Sequence, residues 1–448
     1  MKIKIHKDAA KILLYSLQWL GMSLALTMVI PFVAGLTFGL SSQEIGSLVQ
    51  RSLLFVGAVS LLQVTVGHRF VIIETPGGMW LSLILILAGI YSGMGKSLDL
   101  LRSEIVAGMI LSGLTYFVLI FTGLIDKIRV LFTPLVNGTF LVLMPLLLSG
   151  TLINGILGGG SINFRGFVAA AAALAVIVLI SITAKGFLKT ISILCGIGVG
   201  WLLAYLLGVS PPINPSTGFI ALPPLFPWGR PVLNQGILFS CVITGLLILA
   251  NHVACTMSMA KFLNTELTSR QFNRSLAVTG FANILAGLGG LVAFVPAASS
   301  VGFVQLTGVS DRRPFIACTL FLIFLGLFPI VGGVVSAFPG QLGYAVLLVL
   351  VCQIFGLGLQ EYSRAALDSK DIYICGLSIL TGVGIMFVPA ETFAPFSQAV
   401  QIVLSNGLIM GLLMCITLER ILKRGSAENS EAKQNYTSAA GESQNKAQ

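Results

Sequence analysis

Fourteen apolar runs, each ended by a polar, glycine or proline cluster, follow one another along the chain. Their approximate limits are 12–34, 48–66, 70–88, 104–123, 130–151, 166–183, 191–208, 236–258, 275–292, 297–309, 315–336, 342–359, 372–388 and 397–419. About 20 such residues cross a bilayer as a helix. Hydrocarbon offers no water to an open backbone, so only structures that satisfy their own amides can span it. Charged residues make up 9% of the chain against 56% hydrophobic, which excludes an ordinary soluble domain. The expected fold is an all-α polytopic membrane protein with 14 transmembrane spans and almost no extramembrane domain.

The basic residues orient these spans. With the N-terminus placed inside, 21 of the 26 Lys and Arg fall on cytoplasmic loops and ends, leaving Arg51, Lys96, Arg102, Arg165 and Arg230 outside. This is the asymmetry of the positive-inside rule, and it predicts cytoplasmic termini. The net charge of +10 is thereby spent on topology and gives no reason to expect a nucleic-acid partner. The start, Met1 to Asp8, is basic and leads into an apolar run without a small-residue cleavage site, so it reads as a retained first span. The seven cysteines show neither CxxC nor metal-ligand spacing, and no metal or cofactor is expected. Val209 to Gln235 carries seven prolines and reads as an external linker between halves of seven spans each. Odd-numbered halves insert with opposite orientation, the geometry of an inverted repeat. The tail after Lys423 is rich in Ser, Glu, Asn, Gln and Ala and is expected to be disordered.

Two spans are interrupted at matching places. Val71-Ile72-Ile73-Glu74-Thr75-Pro76-Gly77-Gly78 and Phe294-Val295-Pro296-Ala297-Ala298-Ser299-Ser300 each run from a β-prone stretch through a proline into small residues. Their prolines lie 220 residues apart in a chain of 448. Proline removes an amide donor and breaks a helix, and small residues permit close approach. Paired interruptions in two halves point to a transporter's midplane site.

Few polar residues sit at membrane depth, where ionisable groups are costly. Glu74 precedes Pro76, and Gly77 and Gly78 beside it leave space for a ligand; the plainer role is a carboxylate satisfied by the broken helix. In the eighth run, Asn251 and Cys255 are spaced i, i+4 and share a face, while His252 is turned away by about 100°. That face is the one expected to meet a ligand, the alternative being polar packing between helices. Ala298, Ser299 and Ser300 open a short helix whose unpaired amides suit a carbonyl or anionic edge, unless the serines act only as caps. Gln18 is a further candidate in the first span, and its neighbour Trp19, taken alone, reads as an interfacial anchor.

The chain resembles the nucleobase–ascorbate transporter family, which contains uracil and xanthine permeases, over about residues 10 to 420. Three motifs carry the resemblance. Ser16-Leu17-Gln18-Trp19 is similar to the family's SLQH, with Trp19 in place of His; Ala250-Asn251-His252-Val253 is similar to its AEHV; Gly302 to Val309 is similar to the run after its tenth-span signature. The resemblance implies two inverted seven-span repeats, with short strands in interrupted spans 3 and 10. It implies a core of spans 1–4 (1–125) and 8–11 (236–337), and a gate of spans 5–7 (126–208) and 12–14 (338–422). The linker is 209–235 and the tail 423–448. The family's eighth-span glutamate falls here at Asn251 and a histidine one turn on at Cys255. Its tenth-span glutamate falls at Ser299, and a stacking aromatic at Gly78.

The expected function is secondary active import of a purine or pyrimidine nucleobase across the cell membrane, by proton symport with elevator-like movement of the core. Glu74 would then carry the proton in place of the absent acids, and the family implies a homodimer. Rival readings are a carrier of another planar or anionic solute, and coupling to Na+. A membrane enzyme would need convergent catalytic groups, and a channel repeated pore-lining polar residues; neither pattern is found in the sequence.

Overall fold

A computed structural model describes residues 2–125, 133–213, 220–364 and 367–422. The tail expected to be disordered, Lys127 and Arg129, and residues 214–219 of the proline-rich linker lie outside the described residues. Helices α1 (Lys2–Thr37) and α2 (Ser42–Thr65) lead to strand β1 (Glu74–Pro76) and helix α3 (Gly78–Gly93). Then come α4 (Leu98–Thr122), α5 (Pro134–Leu157), α6 (Phe164–Thr183) and α7 (Ser192–Leu206). Past the linker, α8 (Gln235–Phe262) and α9 (Ser269–Leu288) lead to strand β2 (Phe294–Pro296) and α10 (Ser299–Thr307). The chain continues through α11 (Arg312–Leu327), α12 (Pro329–Val335), α13 (Gly340–Arg364) and α14 (Ser369–Ile385). It ends its described part with α15 (Gln398–Leu404) and α16 (Gly407–Leu422).

Among the described residues, seven helices are long and apolar enough to cross a membrane, or nine if each of two bent pairs is one span. This is fewer than the fourteen apolar runs, for physical reasons. The runs around β1 and β2 are interrupted by extended segments that carry Pro76 and Pro296, and α3 and α10 after them have only 16 and 9 residues. Pro329 at the head of α12 bends it 81° from α11, and α15 and α16 meet at 73°. At that second bend the buried Asn406 Oδ1 accepts the amides of Leu408 and Ile409, restarting the helix inside the protein.

Helix starts also differ from the apolar runs. A capping box, with Ser41 Oγ accepting the Glu44 amide and Glu44 Oε2 accepting the Ser41 amide, starts α2 six residues before its apolar run. Arg51 therefore lies within the helix and is buried, with Nη1 donating to Ser47 Oγ at 2.9 Å and Nη2 to the Gly290 carbonyl at 3.4 Å. It is not the surface loop residue that the charge pattern suggested. Ser97 likewise starts α4 early and brings Glu104 inside. Tyr91 donates to the buried Glu104 carboxylate, and Asn234, the N-cap of α8, donates to it at 3.0 Å.

Trp19 is wholly buried, its ring 4.3 Å from Phe303 and 4.9 Å from Phe315. The interfacial reading of Trp19 is thus overturned: it is the largest side chain holding α1 against α10 and α11. Elsewhere the helices meet backbone to backbone. A Cβ on Gly113 would stand 2.4 Å from the Gly280 carbonyl, joining α4 to α9, and one on Gly46 would stand 2.2 Å from the Gly332 carbonyl, joining α2 to α12. Small residues at such crossings are the usual means of helix association in lipid. We expect Gly113→Leu to force α4 and α9 apart at a cost of at least about 1–3 kcal/mol, whereas a Cβ at Gly376 meets nothing within 4 Å. Thermal unfolding in detergent should show a clearly lowered Tm for Gly113→Leu and an unchanged one for Gly376→Leu; equal values would refute the contact.

Candidate functional site

The site begins with the two breaks. Strands β1 and β2 pair antiparallel, with Glu74 opposite Pro296, Thr75 opposite Val295 and Pro76 opposite Phe294. The pairing extends at both ends: the Gly77 amide donates to the Ala293 carbonyl at 2.8 Å and the Ala297 amide to the Ile73 carbonyl at 2.9 Å. Side chains take the amides that the ladder leaves over. Ser60 Oγ accepts from Glu74 N–H at 2.9 Å, and Ser300 Oγ from Ile73 N–H at 3.1 Å. Each strand runs directly into a helix, α3 and α10, so two helix N-termini leave the same pair of strands.

Helix α8 passes beside β2. Asn251 Nδ2 donates to the Pro296 carbonyl at 3.1 Å, and Cys255 Sγ approaches the same oxygen at 3.5 Å and Asn251 Oδ1 at 3.7 Å. A carbonyl preceded by a proline ring, on a strand only three residues long, is thereby held from the side. On the other face of α8, His252 is buried, its Nε2 2.8 Å from Ser275 Oγ and its Nδ1 3.3 Å from Thr279 Oγ1. The same face holds Gln63: its Nε2 donates to the Ser275 carbonyl and to Thr279 Oγ1, and its Oε1 accepts from Ser275 Oγ, all at 3.1 Å.

A cavity of about 400 Å³ opens against the Asn251 face of α8. Asn251, Cys255 and Ala298 line it, together with Ser258 and Gln305. Its opposite wall comes from α5 and α13: Asn137, Phe140, Leu141, Leu357, Gln360 and Glu361. Apolar walls with a few convergent polar groups are the usual make-up of a small-molecule site.

Among the residues singled out from sequence, Asn251, Cys255 and Ala298 are therefore brought together at the cavity. The others take different places. Ser299 is exposed beside Ala298, whereas Ser300 is buried and serves the strand. Gly77 is packed between Val295 and Trp80, and a Cβ on Gly78 would stand 3.3 Å from Ile354 Cδ1 of α13. Gln18 is half-buried on α1. Glu74 is wholly buried and is not among the residues that line the cavity. Sequence reasoning missed Asn137, Gln360 and Glu361. These lie near the ends of apolar runs, where polar residues are ordinary, so only the packing of α5 and α13 against α8 reveals them.

Comparison with known proteins agrees with this architecture. The Permease family (Xan_ur_permease) matches residues 10–391. The putative purine permease YwdJ of Bacillus subtilis (strain 168) is 29% identical over 432 residues, covering 94% of this chain and 98% of that protein. The uric acid permease PucJ of the same organism is 25% identical over 425 residues, covering 92% and 93%. The uric acid transporter UacT of Escherichia coli (strain K12) is 24% identical over 422 residues, covering 91% and 85%. Among solved structures, the transmembrane domain of a cyanobacterium bicarbonate transporter, BicA, superposes with a TM-score of 0.64 at 14% identity, covering 91% of this chain and 97% of that one. That likeness concerns the fold alone. The chain thus belongs to the xanthine and uracil permease family of nucleobase–ascorbate transporters, and is a multi-pass membrane transporter and not an enzyme.

Proposed function

We propose that the chain imports a nucleobase, a purine above all, across the cell membrane by proton symport, through movement of a core against a gate. The observation that carries this reading is the cavity itself. It is bounded on one side by α3, α8 and α10, which leave or flank the paired strands, and on the other by α5 and α13. Phe140 and the apolar wall suit a flat ring. Asn251 commits one amide proton to Pro296 and keeps its second proton, together with the side of Oδ1 not approached by the Cys255 thiol, for a lactam edge. The permeases similar to this chain are named for purines, uric acid and xanthine.

The packing also supports fourteen spans in two inverted repeats. Gly113 of α4 packs on Gly280 and Ile284 of α9, and Gly57 of α2 packs in the same manner on Thr319 and Ile323 of α11. An exchange of the seven-span halves turns the first contact into the second and β1 into β2. In this reading 1–125 and 236–337 form the core, 126–208 and 338–422 the gate, and 209–235 the external linker, with both ends cytoplasmic. A homodimer through the gate completes the arrangement.

Glu74 is the coupling proton carrier in this reading. Its carboxylate is wholly buried, with no hydrogen bond of good geometry and Gln63 as a nearby side-chain donor, and the family's acids are replaced at Asn251 and Ser299. Three outcomes test the proposal. A single cysteine at Leu222, 79% exposed in the linker, should be labelled from outside intact cells in a cysteine-free background; labelling only after lysis would reverse the topology. Asn251→Ala should weaken xanthine binding to purified protein roughly fivefold, the effect of losing one neutral hydrogen bond of about 1 kcal/mol. Unchanged affinity would place the site elsewhere. In proteoliposomes, Glu74→Gln should still exchange xanthine but lose accumulation driven by a pH gradient; retained accumulation would remove Glu74 from the coupling.

A further inference from the structure

Between α2 and β1 the chain turns inward, and none of its residues lines the cavity. Arg69 adopts φ of 61°, a left-handed conformation rare outside glycine, and its amide returns to the Gln63 carbonyl at 3.0 Å. This turn buries His68 completely. Its backbone carbonyl accepts from Gln271 of α9, and its Nδ1 accepts the Phe70 amide at 3.0 Å. A ring nitrogen that accepts a backbone N–H carries no proton, so the neutral ring bears its proton on Nε2. Nε2 stands 4.0 Å from Glu74 Oε1, and both groups are wholly buried. Neither His68 Nε2 nor either Glu74 oxygen has a hydrogen-bond partner. Both amide protons of Gln63 go to Ser275 and Thr279, with Gln63 still near enough to act on the Glu74 carboxylate, and Ser60 Oγ accepts the Glu74 amide.

We propose that His68 is the positioning residue of a proton site apart from the substrate cavity, so that coupling passes through the strand pair and not through direct contact between proton and substrate. The proposal rests on the reading of Glu74 as the proton carrier. His68 offers its single Nε2 proton to the carboxylate. The coupling proton adds to a Glu74 oxygen and leaves it again, while the imidazole keeps its own proton and its bond to Phe70 throughout. A buried, unpaired carboxylate costs several kcal/mol, so its charge state bears on the position of β1. That strand is joined through Glu74 and Pro296 to β2, whose Pro296 carbonyl is held by Asn251 and Cys255 at the cavity. One strand pair thus lies between the proton and the ligand.

The other ionisable groups near the pair do not replace His68. His252 of α8, its ring 6.5 Å from that of His68, has both nitrogens engaged by Ser275 and Thr279. Tyr116 of α4 donates its hydroxyl to the Gly245 carbonyl at 2.6 Å, and the Cys255 thiol approaches Pro296. Arg312, at the start of α11, is within electrostatic reach of His68. From α10 the strand receives Ser300, which carries no charge.

Two substitutions separate the donor role from the turn. In His68→Asn the amide oxygen can replace Nδ1 and keep the Phe70 bond, but nothing reaches the Nε2 position. In His68→Gln the amide N–H can replace Nε2 while the Phe70 bond is lost. The full chain is reconstituted in liposomes with xanthine as probe, measuring equilibrium binding, exchange, and the pH dependence of gradient-driven accumulation. We expect all three proteins to bind xanthine within about twofold of one another. The pH midpoint of accumulation should move by roughly one unit in His68→Asn and stay near wild type in His68→Gln. Superimposable profiles for His68→Asn and wild type overturn the proposal, as does a shift in His68→Gln equal to or larger than that in His68→Asn. If His68→Asn does not fold, His68→Ala is read in its place beside His68→Gln: a displaced midpoint in His68→Ala with a near wild-type one in His68→Gln supports the donor, and superimposable profiles overturn it. Glu74→Gln, measured alongside, tells the two failures apart. If it still accumulates xanthine, the reading of Glu74 itself is wrong; if it loses accumulation while the His68 variants fail as above, only the role of His68 is.

Discussion

The structure depends on one backbone arrangement: two chain breaks inside an apolar helix bundle that satisfy each other. An unpaired amide or carbonyl in hydrocarbon costs several kcal/mol, and a proline in each stretch removes one amide donor and disfavours a helix there. Antiparallel pairing of β1 with β2 meets this cost for both breaks together. The amides left over go to Ser60 and Ser300, and the Pro296 carbonyl goes to Asn251. Neither break could stand alone. The first half of the chain therefore requires the second, and α3 and α10 must begin side by side.

Much of the helix packing serves to hold that centre. Where α4 crosses α9 and α2 crosses α12, glycine lets one backbone rest on another, so the helices that carry Ser60, Gln63 and Ser275 are fixed to their partners. Trp19, enclosed by Phe303 and Phe315, ties α1 to α10 and α11 just beyond the strands. Asn234 and Tyr91 on the Glu104 carboxylate join the ends of α8, α3 and α4. Small contacts between rigid elements leave few ways for a strand to move without moving its helices.

Helix α8 separates two environments. One face, with Asn251 and Cys255, meets β2 and the cavity. The other, with His252, closes a polar cluster with Gln63, Ser275 and Thr279. The spacing of Asn251, His252 and Cys255 made the two faces legible in the sequence, because a helix turns about 100° per residue. The contents of each environment were not legible. Gln360 and Glu361 come to the cavity from α13, more than 100 residues away in sequence. His68 reaches Glu74 through a left-handed turn at Arg69 that no residue type announces. Glu74 itself read as a ligand-facing carboxylate because glycines follow it; the strand instead presents it to His68.

By itself the sequence determined that this chain is a polytopic helical membrane protein, that two of its segments are broken at matching positions, and that its motifs are those of a permease family. Hydropathy decides the first, since lipid tolerates little else; a β-prone run, a proline and small residues in succession decide the second, since together they disfavour the helix that Pro31 and Pro145 alone leave intact; local residue order decides the third. Tertiary structure alone decided what each polar residue faces. Trp19 lies in the core and not at an interface, because Phe303 and Phe315, almost 300 residues away, enclose it. Arg51 is buried because a capping box starts α2 early and the Gly290 carbonyl receives its guanidinium. Side-chain surroundings of this kind are set by contacts between distant elements, and local sequence carries no record of them.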